Sequence, residues 1–124
     1  YVLKPSITPQ YAGEVIKRAG GKVVIAHPVA CVYEDGWEEK DIDRLIEEMQ
    51  PFGLEVNYIY TDRYNKIIDE CDRWHMVAKK HNLIATIGSD YHTTDGIRPE
   101  IGLINTDLRL SSEEVKTLLT KLCD

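Results

Sequence analysis

Three short, nearly uninterrupted apolar runs constrain the fold of this 124-residue chain more than any other feature. They span residues 22–27 (KVVIAH), 54–60 (LEVNYIY) and 83–88 (LIATIG), and a shorter run, GLIN, spans 102–105. Such runs are typical of strands in a parallel sheet, because helices cover both faces of that sheet. Amphipathic helical patterns separate the runs. The sequence therefore predicts an α/β fold with mostly parallel strands and helices outside them.

Terminal signals and apolar spacing predict four helices around these strands. The first helix begins at Thr8-Pro9 and ends at Gly20-Gly21, and the second follows a polar loop at 31–38 and ends before Pro51. The third is predicted to span about residues 62–80. A capping box of Ser111 and Glu114 marks the start of the last helix. The predicted inward faces are Ala12, Val15, Ile16 and Ala19; Ile42, Leu45, Ile46 and Met49; Tyr64, Ile67, Ile68, Cys71, Trp74 and Ala78; and Val115, Leu118, Leu119 and Leu122.

Composition and charge narrow the classes of function. The chain has 21 acidic and 15 basic residues, a formal charge of −6 and no basic run, which argues against a surface for duplex nucleic acid. Its three cysteines include no CxxC pair, which indicates reduced thiols and a cytoplasmic location. No apolar run approaches the ~20 residues of a membrane span, so no membrane partner is expected.

A histidine ends the first apolar run. Because Pro28 follows it, His27 is predicted to be extended, with its imidazole projecting from the strand tip in a fixed direction. A fixed direction suits a metal ligand. The alternative is a histidine that is covered by a helix and bonded to a backbone carbonyl.

The phrase GSDYH, residues 88–92, places a carboxylate and an imidazole two residues apart. In an extended chain Asp90 and His92 would point to the same side, and Gly88 would permit an unusual backbone turn before them. Carboxylate with imidazole is a ligand mixture suited to zinc, manganese and iron. The alternative is a turn in which Asp90 accepts from backbone amides while His92 lies in solvent.

The two phrases are expected to meet, because the carboxyl ends of parallel strands share one rim. Glu55 and Asn57 share a face of their strand and could approach the same rim, or could equally bond a neighbouring loop. Tyr58 and Tyr60 are interpreted as packing residues. Two further histidines, His75 and His81, are predicted to be surface residues, and Arg98 is either a phosphate ligand or, more simply, a solvated arginine.

Two motifs carry a family resemblance. AGGKVVIAHP, residues 19–28, and IGSDYH, residues 87–92, resemble the last two metal motifs of the PHP (polymerase and histidinol phosphatase) domain. The spacing between them, which contains a GLEVNY strand and a helix carrying AKKHNL, is similar as well. The opening YV and the helix before AGG resemble bacterial PHP phosphoesterases that hydrolyse nucleotide and RNA phosphates. The resemblance covers nearly the whole chain.

This resemblance implies a distorted (β/α)7 barrel with up to three divalent ions, manganese, iron or zinc, at its carboxyl rim. His27, Asp90 and His92 match metal ligands that serve different ions, and Asp90 and His92 are the implied catalytic pair. The implied substrate is a phosphorylated small molecule or nucleotide, with Arg98 near its phosphate. The implied reaction is hydrolysis of a phosphate mono- or diester.

The chain also departs from the family pattern. A PHP domain begins with an HxH motif, and none of the four histidines here forms such a pair. Residues 1–124, starting at Tyr1, therefore resemble the carboxyl-terminal half of a PHP domain cut from a longer protein. We expect an inactive or nearly inactive half-barrel that retains its metal incompletely. Its exposed strand edges should pair, which predicts either a dimer or poor solubility when this piece is expressed alone.

Two other functions remain open at this level. One is a non-catalytic PHP-like module that stabilises or regulates a larger protein. The other is an unrelated single-metal hydrolase built from His27, Asp90 and His92 alone.

Overall fold

The computed structural model of the chain describes residues 6–94, 96 and 112–123. The elements in this part are α1 (Pro9–Arg18), β1 (Val24–Ile25), α2 (Pro28–Asp35), α3 (Glu39–Met49), β2 (Gly53–Asn57), β3 (Tyr60–Thr61), β4 (Ile67–Ile68), α4 (Cys71–Lys80), β5 (Ile84–Ile87) and α5 (Ser112–Cys123). The predicted strand at 102–105, Arg98 and the cap residue Ser111 lie outside the described residues.

A small parallel sheet confirms the coarser part of the predicted fold class, an α/β fold with mostly parallel strands. Its strand order is β1-β2-β5, and both neighbouring pairs are parallel, with Val24 opposite Gly53 and Gly53 opposite Ile84. The three strands correspond to the three apolar runs, although β1 is only two residues long. In the described part of the chain these strands form an open sheet and not a closed barrel.

The core lies between the sheet and the helices α2, α3 and α4. Ile42 and Ile46 of α3, Leu54 of β2 and Trp74 of α4 are at most 3% exposed and belong to one apolar cluster. The i, i+4 spacing predicted both α3 residues, and α3 ends at Met49, as the proline at position 51 requires. This core fixes the central strand, whose carboxyl end lies at the candidate site.

The predicted polar loop at 31–38 is wrong for most of its length. Residues 28–35 form α2, with Pro28 at its first position and Gly36 in the left-handed conformation (φ 71°) after its last. Proline at the start and glycine past the end are typical helix boundaries. The sequence pattern did not indicate this helix, because its buried residues all lie in its first turn and its last residues include the polar Glu34 and Asp35.

The third predicted helix begins too early. Instead of a helix from residue 62, the chain forms an antiparallel hairpin of β3 and β4, and α4 begins only at Cys71. The Asp62 carboxylate closes the turn by accepting from the amides of Tyr64 and Lys66, at 2.8 and 2.9 Å. Tyr64 is 81% exposed and Ile67 60%, so neither faces inward as predicted, while Ile68, Cys71, Trp74 and Ala78 are buried as predicted.

Two terminal helices do not bury the faces predicted for them. Val15, Ile16 and Ala19 of α1 are exposed, and the buried residue is Gly13, where an added Cβ would lie 3.0 Å from Cε of Met49. In α5 the apolar residues Val115, Leu119 and Leu122 are exposed. Close packing of α1 on α3 thus uses the smallest residue of α1. Among the described helices, none has the length and hydropathy to cross a bilayer.

An ionic cluster joins α3 to the end of α4. His81 is half-buried and not a surface residue as predicted, and its Nε2 lies 2.6 Å from Oδ1 of Asp43, whose Oδ2 accepts from Lys80 Nζ at 2.6 Å. Burial acts to raise the pKa of the Asp43 carboxyl, but the bonds from Lys80 and His81 outweigh it and hold that pKa below its usual value.

Asp43→Asn should therefore destabilise the protein in a pH-dependent way. A carboxyl with a depressed pKa stabilises the fold above its unfolded-state pKa of ~3.9, and this contribution is lost as the pH falls through the folded-state pKa. We expect urea unfolding at pH 7 to show a loss of about 1–2 kcal/mol for the bond to His81. The difference from wild type should shrink below pH ~4. Glu47→Gln, which removes one exposed charge from the same helix, is the control. A pH-independent difference would contradict the prediction.

Candidate functional site

The three predicted ligands meet at the carboxyl ends of the outer strands. His27 follows β1, while Asp90 and His92 follow β5. His27 Nε2 lies 3.8 Å from Oδ1 of Asp90, and His92 Nδ1 lies 3.5 Å from the same oxygen. The convergence expected from a parallel sheet therefore occurs, with the Asp90 carboxylate at its centre. The role of these residues as metal ligands stays a prediction.

The backbone at two of these residues differs from the extended geometry predicted. His27 has φ 28° and ψ 63°, and Asp90 has φ 49°, so both lie in the left-handed region. The rule for residues before proline describes an average, and here Pro28 begins α2 directly after His27. Aspartate and histidine are among the residues enriched in this region. Such backbone costs about 1–3 kcal/mol at each site and is typical of functional sites.

A local hydrogen bond orients His92. Its Nδ1 lies 2.8 Å from the backbone oxygen of Asp90. A carbonyl oxygen only accepts, so Nδ1 is the donor, and the lone pair of the neutral ring is then on Nε2. Histidine ligands of metals are commonly held by such a bond from their other ring nitrogen. The bond brings the ring back toward Asp90 even though the chain between them is not extended.

Glu55 couples the two outer strand ends. Its Oε2 accepts from the backbone N–H of His27 at 2.8 Å. On the other side, a Cβ added to Gly88 would lie only 1.9 Å from Glu55 Oε1. The sequence left open whether Glu55 approaches the rim or bonds a neighbouring loop, and its carboxylate bonds the backbone that follows β1, beside the rim. Gly88 is not among the residues with positive φ, so it provides space for Glu55 instead of the unusual turn predicted for it.

Gly88→Ala should consequently disturb the rim through Glu55. The added methyl would displace the carboxylate from the His27 amide, and overpacking of this kind costs about 1–3 kcal/mol. A double-mutant cycle with Glu55→Ala, followed by urea unfolding, measures the coupling. We expect Gly88→Ala to be far less costly when Glu55 is already alanine. Additive losses would show that the glycine is required for another reason.

The side chain of Asn57 is directed away from this cluster. It is 4% exposed, and its Oδ1 lies 3.0 Å from Nε2 of His75, which must donate the bond. His75 is therefore half-buried and structural, and not the surface residue predicted. The pair ties α4 to the end of β2. Of the two polar residues of β2, only Glu55 contributes to the rim.

Sequence reasoning missed the second role of Tyr58. The residue is 7% exposed, as a packing residue should be, but its hydroxyl lies 3.5 Å from Oδ2 of Asp90. Its ring centroid is 5.4 Å from that of His27, with the planes inclined by 46°. The available signal was its position, since Tyr58 directly follows β2 on the rim that the flanking strands define.

A cavity of about 1070 Å³ opens beside the cluster. This volume matches or slightly exceeds the ~300–1,000 Å³ of typical small-molecule sites. The cavity is lined by His27, Ala30, Tyr33, Glu34, Tyr58, Ile59, Tyr60, Thr61, Asp62, Arg63, Tyr64, Asn65, Asp90 and His92. Most of these lining residues belong to α2 and to the hairpin, neither of which the sequence predicted.

The aromatic wall of the cavity is held by internal bonds. The rings of Tyr33 and Tyr60 are stacked with centroids 6.0 Å apart, and the Tyr60 hydroxyl donates to Oε1 of Glu34 at 2.9 Å. Burial and this bond to Glu34 raise the pKa of Tyr60. Tyr60 therefore stays protonated at neutral pH and acts as a fixed wall rather than as a base.

The cluster contains the types of ligand that a divalent cation takes, but too few of them converge to complete a coordination set. Imidazole and carboxylate are accepted ligands of zinc, manganese and iron. His27 also has a buried Nδ1 without a hydrogen-bond partner among the described residues. Within the same residues, however, no three or more His, Cys, Asp or Glu side chains are arranged to hold an ion. The cluster therefore supplies part of a coordination set.

Comparisons of the chain with protein-family models, with curated proteins and with solved structures find no match.

Proposed function

We propose that this chain is the carboxyl-terminal part of a PHP-type, metal-dependent phosphoesterase that acts in the cytoplasm on a phosphate mono- or diester, such as a nucleotide or RNA end. The observation that supports this proposal best is the convergence of His27, Asp90 and His92 at one rim beside a large cavity. The metal motifs AGGKVVIAHP and IGSDYH are the sequence argument for the family.

The proposed reaction divides its tasks between the ions and the protein. Divalent ions held by His27, Asp90 and His92 would polarise a phosphoryl oxygen and lower the pKa of a bound water. The chain itself keeps these side chains in place. Glu55 fixes the backbone of His27, and the bond from His92 Nδ1 to the Asp90 carbonyl leaves Nε2 as the basic nitrogen of that ring.

Tyr58 would hold a proton at the edge of the reacting centre. Its hydroxyl donates toward Asp90 Oδ2, which keeps the carboxylate oriented and its charge partly compensated. Because the ring of Tyr58 also packs near that of His27, it limits the space open to water on this side. Both effects are those of a positioning residue.

The proposal is tested by hydrolysis with the full-length gene product. Turnover of p-nitrophenyl phosphate and of bis(p-nitrophenyl) phosphate is measured with manganese, iron or zinc and after chelation. We expect turnover that depends on a divalent ion with one of the two esters. The 124-residue chain alone should be inactive or nearly so, because too few of its described side chains converge. No turnover by the full-length product with any of these ions would contradict the proposal.

A non-catalytic module is the second candidate. The observation in its favour is that the described residues do not form a group of three or more metal-binding side chains. Metal analysis after dialysis distinguishes the two functions. A full-length product without retained metal and without turnover would support a stabilising or regulatory role.

Pairing of two copies is a further part of the proposal. In the described residues β1 and β5 each pair with β2 on one side only, and Val24 of β1 is 37% exposed. Open strand edges promote association. Sedimentation of the 124-residue chain over a range of concentrations should show a dimer.

A further inference from the structure

We propose that Arg63, at the tip of the β3–β4 hairpin, binds a second anionic group of the substrate, separate from the phosphate that reacts. The inference rests on the proposed phosphoesterase function and names a feature of its substrate class. The substrate would be a phosphate ester whose organic part carries a further carboxylate or phosphate. The observations are the size of the cavity, the position of Arg63 in its lining and the charges around it.

The cavity is too large for a phosphate group alone. One end of its lining is the cluster of His27, Asp90 and His92, and the hairpin residues Thr61–Asn65 form another part of it. A volume of about 1070 Å³ accommodates a ligand of drug-like size. The substrate therefore has a body that extends from the reacting phosphate toward the hairpin.

Arg63 is the cationic residue at that position. Of the described residues that line the cavity, it is the sole lysine or arginine. Its guanidinium Cζ lies 5.9 Å from the centroid of the Tyr64 ring. The planar fork of an arginine matches carboxylate and phosphate.

The acids near Arg63 in the cavity lining already accept hydrogen bonds from the protein itself. The Oδ1 of Asp62 accepts from two turn amides, and Glu34 accepts from the Tyr60 hydroxyl. Their negative charge disfavours an anion along this wall, and within the described lining Arg63 supplies the positive charge that offsets it. An anionic group of the substrate is therefore received at Arg63 and not at random positions, which makes Arg63 a residue that determines specificity.

The hairpin holds Arg63 at a defined place. The pairs Tyr60–Ile68 and Thr61–Ile67 close the strands, and the amide of Asn65 donates to the carbonyl of Asp62 at 3.0 Å. Arg63 itself is exposed, so its substitution should leave the fold intact.

Non-hydrolysable probes test the inference on the full-length gene product in the presence of manganese. Calorimetry compares phenylphosphonate with 4-carboxyphenylphosphonate and 1,4-phenylenebisphosphonate. We expect wild type to bind at least one of the two longer probes about tenfold more tightly than phenylphosphonate. Arg63→Ala and Arg63→Gln should abolish this advantage and change the affinity for phenylphosphonate by less than about twofold. The longer probe that is preferred tells carboxylate from phosphate.

Arg18→Ala is the matched control, because it removes one exposed positive charge from α1, whose residues do not line the cavity. Arg63→Lys should retain part of the advantage as a point charge. Equal affinity of wild type for all three probes, no binding of any, or the same loss in Arg18→Ala would overturn the inference. The hydrolysis assay decides the proposed function separately, since binding of these probes does not require turnover.

Discussion

Asp90→Ala should reduce the metal-dependent turnover of the full-length gene product by about 10³-fold or more. The Asp90 carboxylate lies between two imidazoles and accepts from the Tyr58 hydroxyl, so its removal takes the central acceptor from the cluster. Stabilisation by a bound ion is worth several kcal/mol in a transition state, and each 1.36 kcal/mol corresponds to about tenfold in rate. The rate at saturating p-nitrophenyl phosphate is the measurement.

Two companion variants make this result specific. Asp90→Asn keeps the shape of the side chain and an oxygen for Tyr58 but removes the negative charge, so its turnover should fall nearly as far. Asp72→Ala removes an exposed acid from the first turn of α4 and should leave turnover within about twofold of wild type. Metal content after dialysis should fall in both Asp90 variants. Unchanged turnover in Asp90→Ala would remove the basis of the proposed function.

Trp74→Ala should lower the free energy of unfolding by about 3–5 kcal/mol. Trp74 is 1% exposed and packs within the core cluster where α4 covers the sheet. Its loss leaves a cavity that the surrounding strand and helices can close only in part. Urea unfolding followed by circular dichroism is the measurement, because the substitution also removes a fluorophore.

A graded series separates packing from polarity at this position. The indole Nε1 of Trp74 is buried and has no hydrogen-bond partner among the described residues, so Trp74→Phe loses volume without losing a bond. We expect Trp74→Phe to cost far less than alanine. Met76→Ala, on the same helix but 68% exposed at Met76, should change stability by less than about 0.5 kcal/mol. A small effect of Trp74→Ala would mean that α4 is not part of the cooperative core.

The elements that sequence reasoning predicted well are those in which local pattern and burial agree. Ile42 and Ile46 repeat at helical spacing in a segment that ends before a proline, and both are fully buried. The apolar runs around Leu54 and Ala85 form the parallel strands expected of them. In each case the same residues carry the local propensity and the tertiary contact.

The hairpin was missed because its apolar residues fit the helical spacing of the segment that follows. Ile67, Ile68 and Cys71 are spaced with Trp74 as on one face of a helix, and the turn that Asp62 closes is the feature that indicates a hairpin instead. A side chain that accepts from two backbone amides is a local signal, but the apolar period outweighed it.

The candidate site was predictable in its composition and not in its local geometry. Strand ends brought His27 and Asp90 together, as the topology required. Their positive φ values depend on what surrounds them, namely the start of α2 and the bond from Glu55, and no local rule contains that information. Tyr58 was overlooked because an aromatic residue after a buried strand is usually a packing residue.

In the proposed function, the strand order β1-β2-β5 places the reacting centre and the recognition of the substrate in separate parts of the fold. His27 and Asp90 follow strands that lie on either side of β2. The separation of the two backbones is therefore set by two strand spacings of about 4.8 Å each. The hairpin lies in the connection between β2 and β5. That segment can gain, lose or exchange residues without altering the separation of the two outer strands. A lineage of such proteins could therefore acquire new ligands through the hairpin while it keeps one reacting centre.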